Sequence, residues 1–86
     1  PAYPNPFPDR ITISFVLDRE RDVSLSIYDI TGRHVRDLLN EKRGPGMHSV
    51  TWNGRNAGGD KATSGVYFVH LKAGIQEYSR KVILLR

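Results

Sequence analysis

Met47-His48-Ser49-Val50-Thr51-Trp52, a polar loop over residues 53–64, and Gly65-Val66-Tyr67-Phe68-Val69-His70-Leu71 decide how this chain folds. Both runs alternate in character, and the loop between them carries Gly54, Gly58 and Gly59. Period-two alternation bounded by glycine and asparagine marks strands with one buried face, because successive side chains point to opposite sides of a pleated strand. His48, Val50 and Trp52 then share one face, and Tyr67, Val69 and Leu71 share another. The single Trp and an in-phase Tyr make an aromatic centre, since each ring buries about 150–250 Å². The other strands are expected to lie around this pair.

Working outward, Ile11-Thr12-Ile13-Ser14-Phe15-Val16-Leu17 alternates with Ile11, Ile13, Phe15 and Leu17 facing inward. A charged connection over residues 18–22 leads to Val23-Ser24-Leu25-Ser26-Ile27-Tyr28, with Val23, Leu25 and Ile27 inward. Two inward-facing strands joined in this way suit a sandwich. Asp29-Ile30-Thr31-Gly32-Arg33 has turn chemistry, with Asp to cap the backbone and Gly to supply a positive φ. In the next run, His34-Val35-Arg36-Asp37-Leu38-Leu39, Val35 and Leu38 are out of phase for one flat strand, and the slip predicts a β-bulge. Residues 40–46 read as a loop, with Gly44-Pro45-Gly46 as its turn signal. Ala73-Gly74 reads as a hairpin connection, and residues 75–86 as the last strand.

The chain opens Pro1-Ala2-Tyr3-Pro4-Asn5-Pro6-Phe7-Pro8. This density of proline forbids a helix and drives the intervening residues to extended conformations. Residues 1–9 are therefore expected to form a stiff lead-in, with Tyr3 and Phe7 placed to pin it onto the body. The strand spacing as a whole predicts an all-β, antiparallel sandwich.

Eighty-six residues make one domain, covering residues 1–86, with room for one modest core. There is no Cys, so neither a disulfide framework nor a cysteine metal site staples it. No apolar run approaches the length of a membrane-spanning helix, about 18 residues, so membrane insertion is not expected. Thirteen Lys and Arg against nine Asp and Glu give a net charge of +4. The basic residues are scattered and no strip of them interleaves with aromatics, which argues against nucleic acid and for a solvated, mildly basic surface.

Little in the sequence points to catalysis. His34, His48 and His70 fall in different strands without metal-ligand spacing. His48, in phase with Val50 and Trp52, is expected to be a partly buried, hydrogen-bonded residue. The loop Asn53-Gly54-Arg55-Asn56-Ala57-Gly58-Gly59-Asp60 has the oxygen content of a calcium loop, but only one carboxylate. Arg55 and Lys61 add like charge to any cation, and calcium sites need several oxygens, usually acidic ones. Gly58-Gly59 precedes no strand-to-helix unit that would cradle phosphate. Ser24, Ser26, Ser49 and Ser64 have no His and carboxylate partners in a recognisable motif. The expectation is a non-enzyme with no catalytic residue, no metal and no cofactor.

The motifs, taken together, resemble a known family. Tyr3-Pro4-Asn5-Pro6-Phe7 followed by Ile11-Thr12-Ile13-Ser14-Phe15 is similar to the opening of type IX secretion system C-terminal sorting domains, type A. Asp29-Ile30-Thr31-Gly32-Arg33 is similar to their D-x-x-G-R turn, and Trp52-Asn53-Gly54 and Ser64-Gly65-Val66-Tyr67 to their middle motifs. Lys81-Val82-Ile83-Leu84-Leu85-Arg86 resembles their closing motif. The immunoglobulin-like domains of the flagellar hook-capping type share the Trp-x-Gly and Gly-Val-Tyr patterns. The resemblance implies an immunoglobulin-like β-sandwich of about seven strands.

It also implies a function: an address that directs a folded, N-terminal cargo from the periplasm across the outer membrane of Bacteroidetes-type bacteria, for release or cell-surface attachment. The implied partners are the outer-membrane secretion machinery and a surface protease that removes the domain, often joining the cargo to lipopolysaccharide. By position, the recognition residues implied are Lys81, Val82, Ile83, Leu84, Leu85 and Arg86, with Gly65 and Tyr67 in support. Pro4, Asn5 and Pro6 match the opening motif, at or before which cleavage is expected. A terminal strand frays readily, and at a sheet edge it offers unpaired backbone groups to which a receptor can add a strand. Lys81 and Arg86 are expected to face outward and give charge selectivity.

Two readings from other classes stay open at this level. One is a structural spacer or interaction module of a large extracellular or flagellar-type protein. The other is a carbohydrate-binding sandwich using Trp52 or surface tyrosines. The residues do not fix the cargo, the oligomeric state or whether Arg86 is the natural C-terminus.

Overall fold

A computed structural model describes residues 2–86; Pro1, at the head of the expected lead-in, lies outside the described residues. Seven strands form: β1 (Ala2–Tyr3), β2 (Ile11–Leu17), β3 (Arg21–Asp29), β4 (His34–Arg43), β5 (Gly46–Trp52), β6 (Gly65–Ala73) and β7 (Gln76–Leu84). They make two antiparallel sheets, ordered β1-β2-β5 and β4-β3-β6-β7. This is the immunoglobulin-like sandwich the sequence implies. The charged run after β2 crosses from one sheet to the other, so the two strands it joins face each other across the core instead of pairing.

The core collects the predicted inward positions. Ile11, Ile13, Phe15 and Leu17 come from β2, Val23, Leu25 and Ile27 from β3, and Tyr67 and Val69 from β6. Trp52 is fully buried at its centre, edge-on to Tyr67 at 5.3 Å between ring centroids. Its indole N–H donates to the Arg55 carbonyl at 2.9 Å, so the ring is buried without an unpaired donor.

Two β-bulges, rather than one, explain the phase slip in β4. Leu25 pairs with Leu39 but Ser26 with Asp37, which leaves Leu38 as an extra residue; Ile27 pairs with Arg36 but Tyr28 with His34, which leaves Val35. Each extra residue resets the alternation, and Val35, Leu38 and Leu39 all reach the core. The loop expected over residues 40–46 is a correction. β4 runs on to Arg43, paired with Arg21, and β5 starts at Gly46, so only Gly44 and Pro45 connect them. The β6–β7 turn also sits one residue later than expected, at Gly74 and Ile75.

The turn after β3 is built on one carboxylate. Asp29 Oδ1 accepts from the Thr31 hydroxyl at 2.6 Å, the Thr31 N–H at 2.9 Å and the Arg33 N–H at 3.0 Å. Gly32 takes a φ of 87°, which other residues adopt only with strain. The Thr31 hydroxyl bond first, and then the Arg33 N–H, hold the Asp29 carboxyl below its ordinary pKa. Asp37 is lowered likewise, first by the Ser26 hydroxyl and then by His34. A depressed carboxyl contributes stability that is complete above the unfolded-state value and is lost as pH falls through the folded one. The melting temperature is therefore expected to hold above about pH 4 and to drop below it. Asp29→Asn with Asp37→Asn should flatten that acid limb in thermal melts taken across the range.

Candidate functional site

The closing motif lies on β7, an edge strand of the four-stranded sheet. Its inner edge pairs with β6 along the whole length, from Gly65–Leu84 to Ala73–Gln76. Its outer edge is not free where the motif lies. The Phe7 N–H donates to the Ile83 carbonyl and the Leu85 N–H to the Phe7 carbonyl, both at 2.9 Å, in a parallel bridge. Two residues earlier, the Asn5 side chain continues that ladder. Its Nδ2 donates to the Lys81 carbonyl at 3.2 Å, and its Oδ1 accepts from the Ile83 N–H at 2.9 Å. The Asn5 amide thus does for β7 what a neighbouring peptide group would do.

The opening motif therefore covers the closing motif, and the expected exposed edge over residues 81–85 is corrected to a paired one. Proline suits this position. Pro4, Pro6 and Pro8 carry no N–H, so the covering segment cannot extend the sheet with a full ladder of its own. The lead-in is anchored by Phe7, fully buried and edge-on to Trp52 at 5.7 Å between centroids, while the Tyr3 residue is 78% exposed and holds on through its backbone pairing with Thr12 rather than as the expected aromatic pin. Asn5→Ala is expected to lower stability by about 1–2 kcal/mol. Amide exchange should speed up at Ile83 and stay unchanged at residues of β7 bonded to β6.

Arg86 does not project into solvent as an outward charge. Its backbone N–H donates to Ser64 Oγ at 3.0 Å, and its guanidinium donates to the carbonyls of Gly54 at 2.9 Å and Ala62 at 3.2 Å. A longer bond reaches the Pro8 carbonyl at 3.5 Å. One side chain thereby ties the chain end to the opening segment and to both sides of the 53–64 loop. The Trp52-Asn53-Gly54 motif gains its reason here. Gly54 has a φ of 73°, and a Cβ on it would sit 2.9 Å from Arg86 Nη2 and 3.0 Å from the Asp9 carbonyl.

The remaining candidates divide by the pleat. Val82 and Leu84 are fully buried core residues, and Tyr67 is 6% exposed with its hydroxyl donating to the Thr63 carbonyl at 2.6 Å. Gly65 opens β6 opposite Leu84. Lys81 and Ile83 lie on the outer face, paired with Phe68 and Val66, and Leu85 is 61% exposed. Of the eight recognition residues the resemblance implies, Lys81, Ile83 and Leu85 are thus the ones whose side chains a partner can reach without disturbing the core or the Arg86 junction.

Elsewhere the histidines and the 53–60 loop find partners within the fold. His48 stacks on Phe15 and its Nε2 lies 2.8 Å from the Gly44 carbonyl. His34 is 2.8 Å from Asp37 and His70 is 3.0 Å from Glu77. In the 53–60 loop, Asn56 Oδ1 accepts from the N–H groups of Gly58 and Asp60, and Arg55 donates to the Gly59 carbonyl. Among the described residues no group of three or more His, Asp or Glu is placed to hold a metal ion. No helix there is long and apolar enough to cross a membrane.

A family model described as a secretion system C-terminal sorting domain matches residues 1–85. The chain belongs to that family. The match runs through both motifs that meet at β7, so the sorting domain's two ends are one structural unit here. PorZ, an essential bacterial surface component of the type-IX secretion system of Porphyromonas gingivalis, is similar in structure, with a TM-score of 0.66 and 28% sequence identity. The likeness covers 99% of this sorting domain and 11% of the PorZ chain. No curated protein matches the chain. The protein is a type IX C-terminal sorting domain with a β-sandwich fold.

Proposed function

We propose that this sorting domain follows a folded cargo and is read by the outer-membrane machinery through the outer face of the β6–β7 hairpin and the chain beyond it. Lys81, Ile83 and Leu85 are the residues read. The observation that carries this is the pleat of β7: it buries Val82 and Leu84 and turns Lys81 and Ile83 outward beside Phe68 and Val66. The route is through the periplasm, and a surface protease then cuts ahead of Pro4-Asn5-Pro6. A cut upstream of Ala2 leaves the Asn5 and Phe7 bonds to β7 in place, so the released domain stays folded.

The test is a fusion of an independently folding cargo to this domain, followed in a type IX-competent host. Lys81→Glu, Ile83→Ser and Leu85→Ser together are expected to retain cooperative unfolding in the isolated domain and to cut export by at least about tenfold, since charge reversal and loss of apolar contact act on a partner and not on the core. Undiminished export of the folded triple variant would remove this face from the mechanism.

A further inference from the structure

Of the four asparagines, only Asn53 precedes a glycine. A peptide nitrogen can attack the side-chain carbonyl carbon of the asparagine before it, and a Cβ on the following residue crowds that attack. Pro6 after Asn5 has no N–H to give up, and Glu41 and Ala57 after Asn40 and Asn56 each carry a Cβ. Gly54 presents neither obstacle.

The side chain of Asn53 is set up for such a reaction. Its Oδ1 accepts from Arg36 Nη1 at 2.8 Å and from the Arg55 N–H at 3.1 Å. These donors sit where negative charge collects when Cγ is attacked, the arrangement that stabilises an oxyanion. The Arg55 bond also curls the side chain back over the peptide that follows it. Asn53 is exposed, so water can arrive and ammonia can leave.

The nitrogen, by contrast, is restrained. Gly54 is buried, and its carbonyl accepts from the Ala62 N–H at 2.8 Å and from Arg86 Nη2 at 2.9 Å. The Arg86 guanidinium and the Asp9 carbonyl close around its Cα so tightly that a Cβ would meet them at 2.9 and 3.0 Å. Reaching Cγ requires the peptide between Asn53 and Gly54 to rotate and its N–H to lose a proton to solvent. Both steps need Gly54 to be free.

We propose that Asn53-Gly54 is a self-modification site kept silent by the Arg86 junction. When the guanidinium lets go, the Gly54 nitrogen gives its proton to solvent and bonds to Asn53 Cγ. The Cγ–Nδ2 bond breaks and ammonia departs, leaving a cyclic imide. Water then opens the ring. Attack at Cγ gives aspartate, and attack at the backbone carbonyl carbon gives isoaspartate, whose main chain runs through Cβ and Cγ. No electrons are transferred, and water is the only co-reactant. The aspartate keeps both donors, now bonded to a charged acceptor, so the loop survives. The isoaspartate lengthens the main chain by a carbon atom and moves Gly54 away from the guanidinium, so the junction cannot re-form. An opening that would otherwise reverse becomes permanent. None of this rests on the sorting reading, since it involves this chain and water alone.

The test incubates the domain in mildly alkaline buffer and follows Asn53 by peptide mass and by an isoaspartate-specific methyltransferase label. The acetylated, amidated peptide of residues 51–56 sets the unguarded rate. The parent is expected to react at least about tenfold more slowly than the peptide, and Arg86→Ala at least about tenfold faster than the parent. Arg86→Lys keeps a single donor group and should fall between them. Leu17→Val trims the core at the other end of β2, where Leu17 pairs with Gly46, and does not touch the junction. Its rate should match the parent's, because the opening is local. A parent as fast as the peptide overturns the proposal, as does an Arg86→Ala variant no faster than the parent. Equal acceleration by Leu17→Val also overturns it, since unfolding of the whole domain would then be the gate. In the aged isoaspartyl fraction, amide exchange at Ala62 and Arg86 should be fast, and in Asn53→Asp it should stay slow. Slow exchange in the aged fraction overturns the permanence of the opening.

Discussion

Phe7→Ala is expected to remove about 3–5 kcal/mol of stability, a large part of the about 5–15 kcal/mol that holds a small domain together. The residue sits in a segment that composition alone marks as a linker, and a linker residue changes stability by almost nothing. Phe7 instead has no exposed surface and packs edge-on against Trp52. Truncation leaves a void beside the largest core side chain, in a body whose close packing cannot flow in to fill it. The backbone at Phe7 also holds Ile83 and Leu85, so loosening the ring loosens the cover of β7. Urea denaturation should show the midpoint falling steeply for Phe7→Ala. Tyr3→Ala, at a residue 78% exposed in the same segment, should stay within about 0.5 kcal/mol of the parent.

Deleting residues 81–86 is expected to unfold the domain outright. The deletion removes Val82 and Leu84, each fully buried, and each such loss costs about 2–5 kcal/mol when truncated to Ala. It also uncovers Phe7 and strips the Arg86 donors from the Gly54 and Ala62 carbonyls. The combined loss exceeds the margin of an 86-residue fold. Circular dichroism and amide shift dispersion should report an unfolded chain at room temperature, whereas Arg86→Ala alone should stay folded with a lowered midpoint. A failure of export after this deletion therefore reports lost structure. Substitutions on the outer face separate recognition from folding, and deletions at this end do not.

Much of this architecture was legible from alternation. The inward sets of β2 and β3 and the pairing of Trp52 with Tyr67 follow from period two, because those strands have one face in the core and one in solvent. The phase slip at Val35 and Leu38 was visible for the same reason, although one slip concealed two bulges. β4 beyond Leu39 was not legible. Asn40, Glu41, Lys42 and Arg43 lie at the rim of an edge strand with little buried on either face, so no hydrophobic pattern records that they pair. The pin at Phe7 was legible, but the pairing of the opening segment with β7 escaped for a different reason. Its bond to β7 passes through one side-chain amide and one residue's backbone, across a sequence separation that periodicity cannot sense. An asparagine between two prolines, followed by a buried aromatic, was the available signal. The roles of Arg86 and Gly54 were hidden likewise, since each makes sense only when the other is in place.

The bridge between Phe7 and residues 83–85 also sets the order of assembly. The first strands can collapse as they emerge during synthesis, but the seam stays open until Leu85 has been made. Long-range closure of this kind slows folding relative to local pairing. A prematurely terminated product lacks the piece that shuts the seam. The sandwich is thereby shut only when both of its ends are in place, and damage at either end opens the same seam.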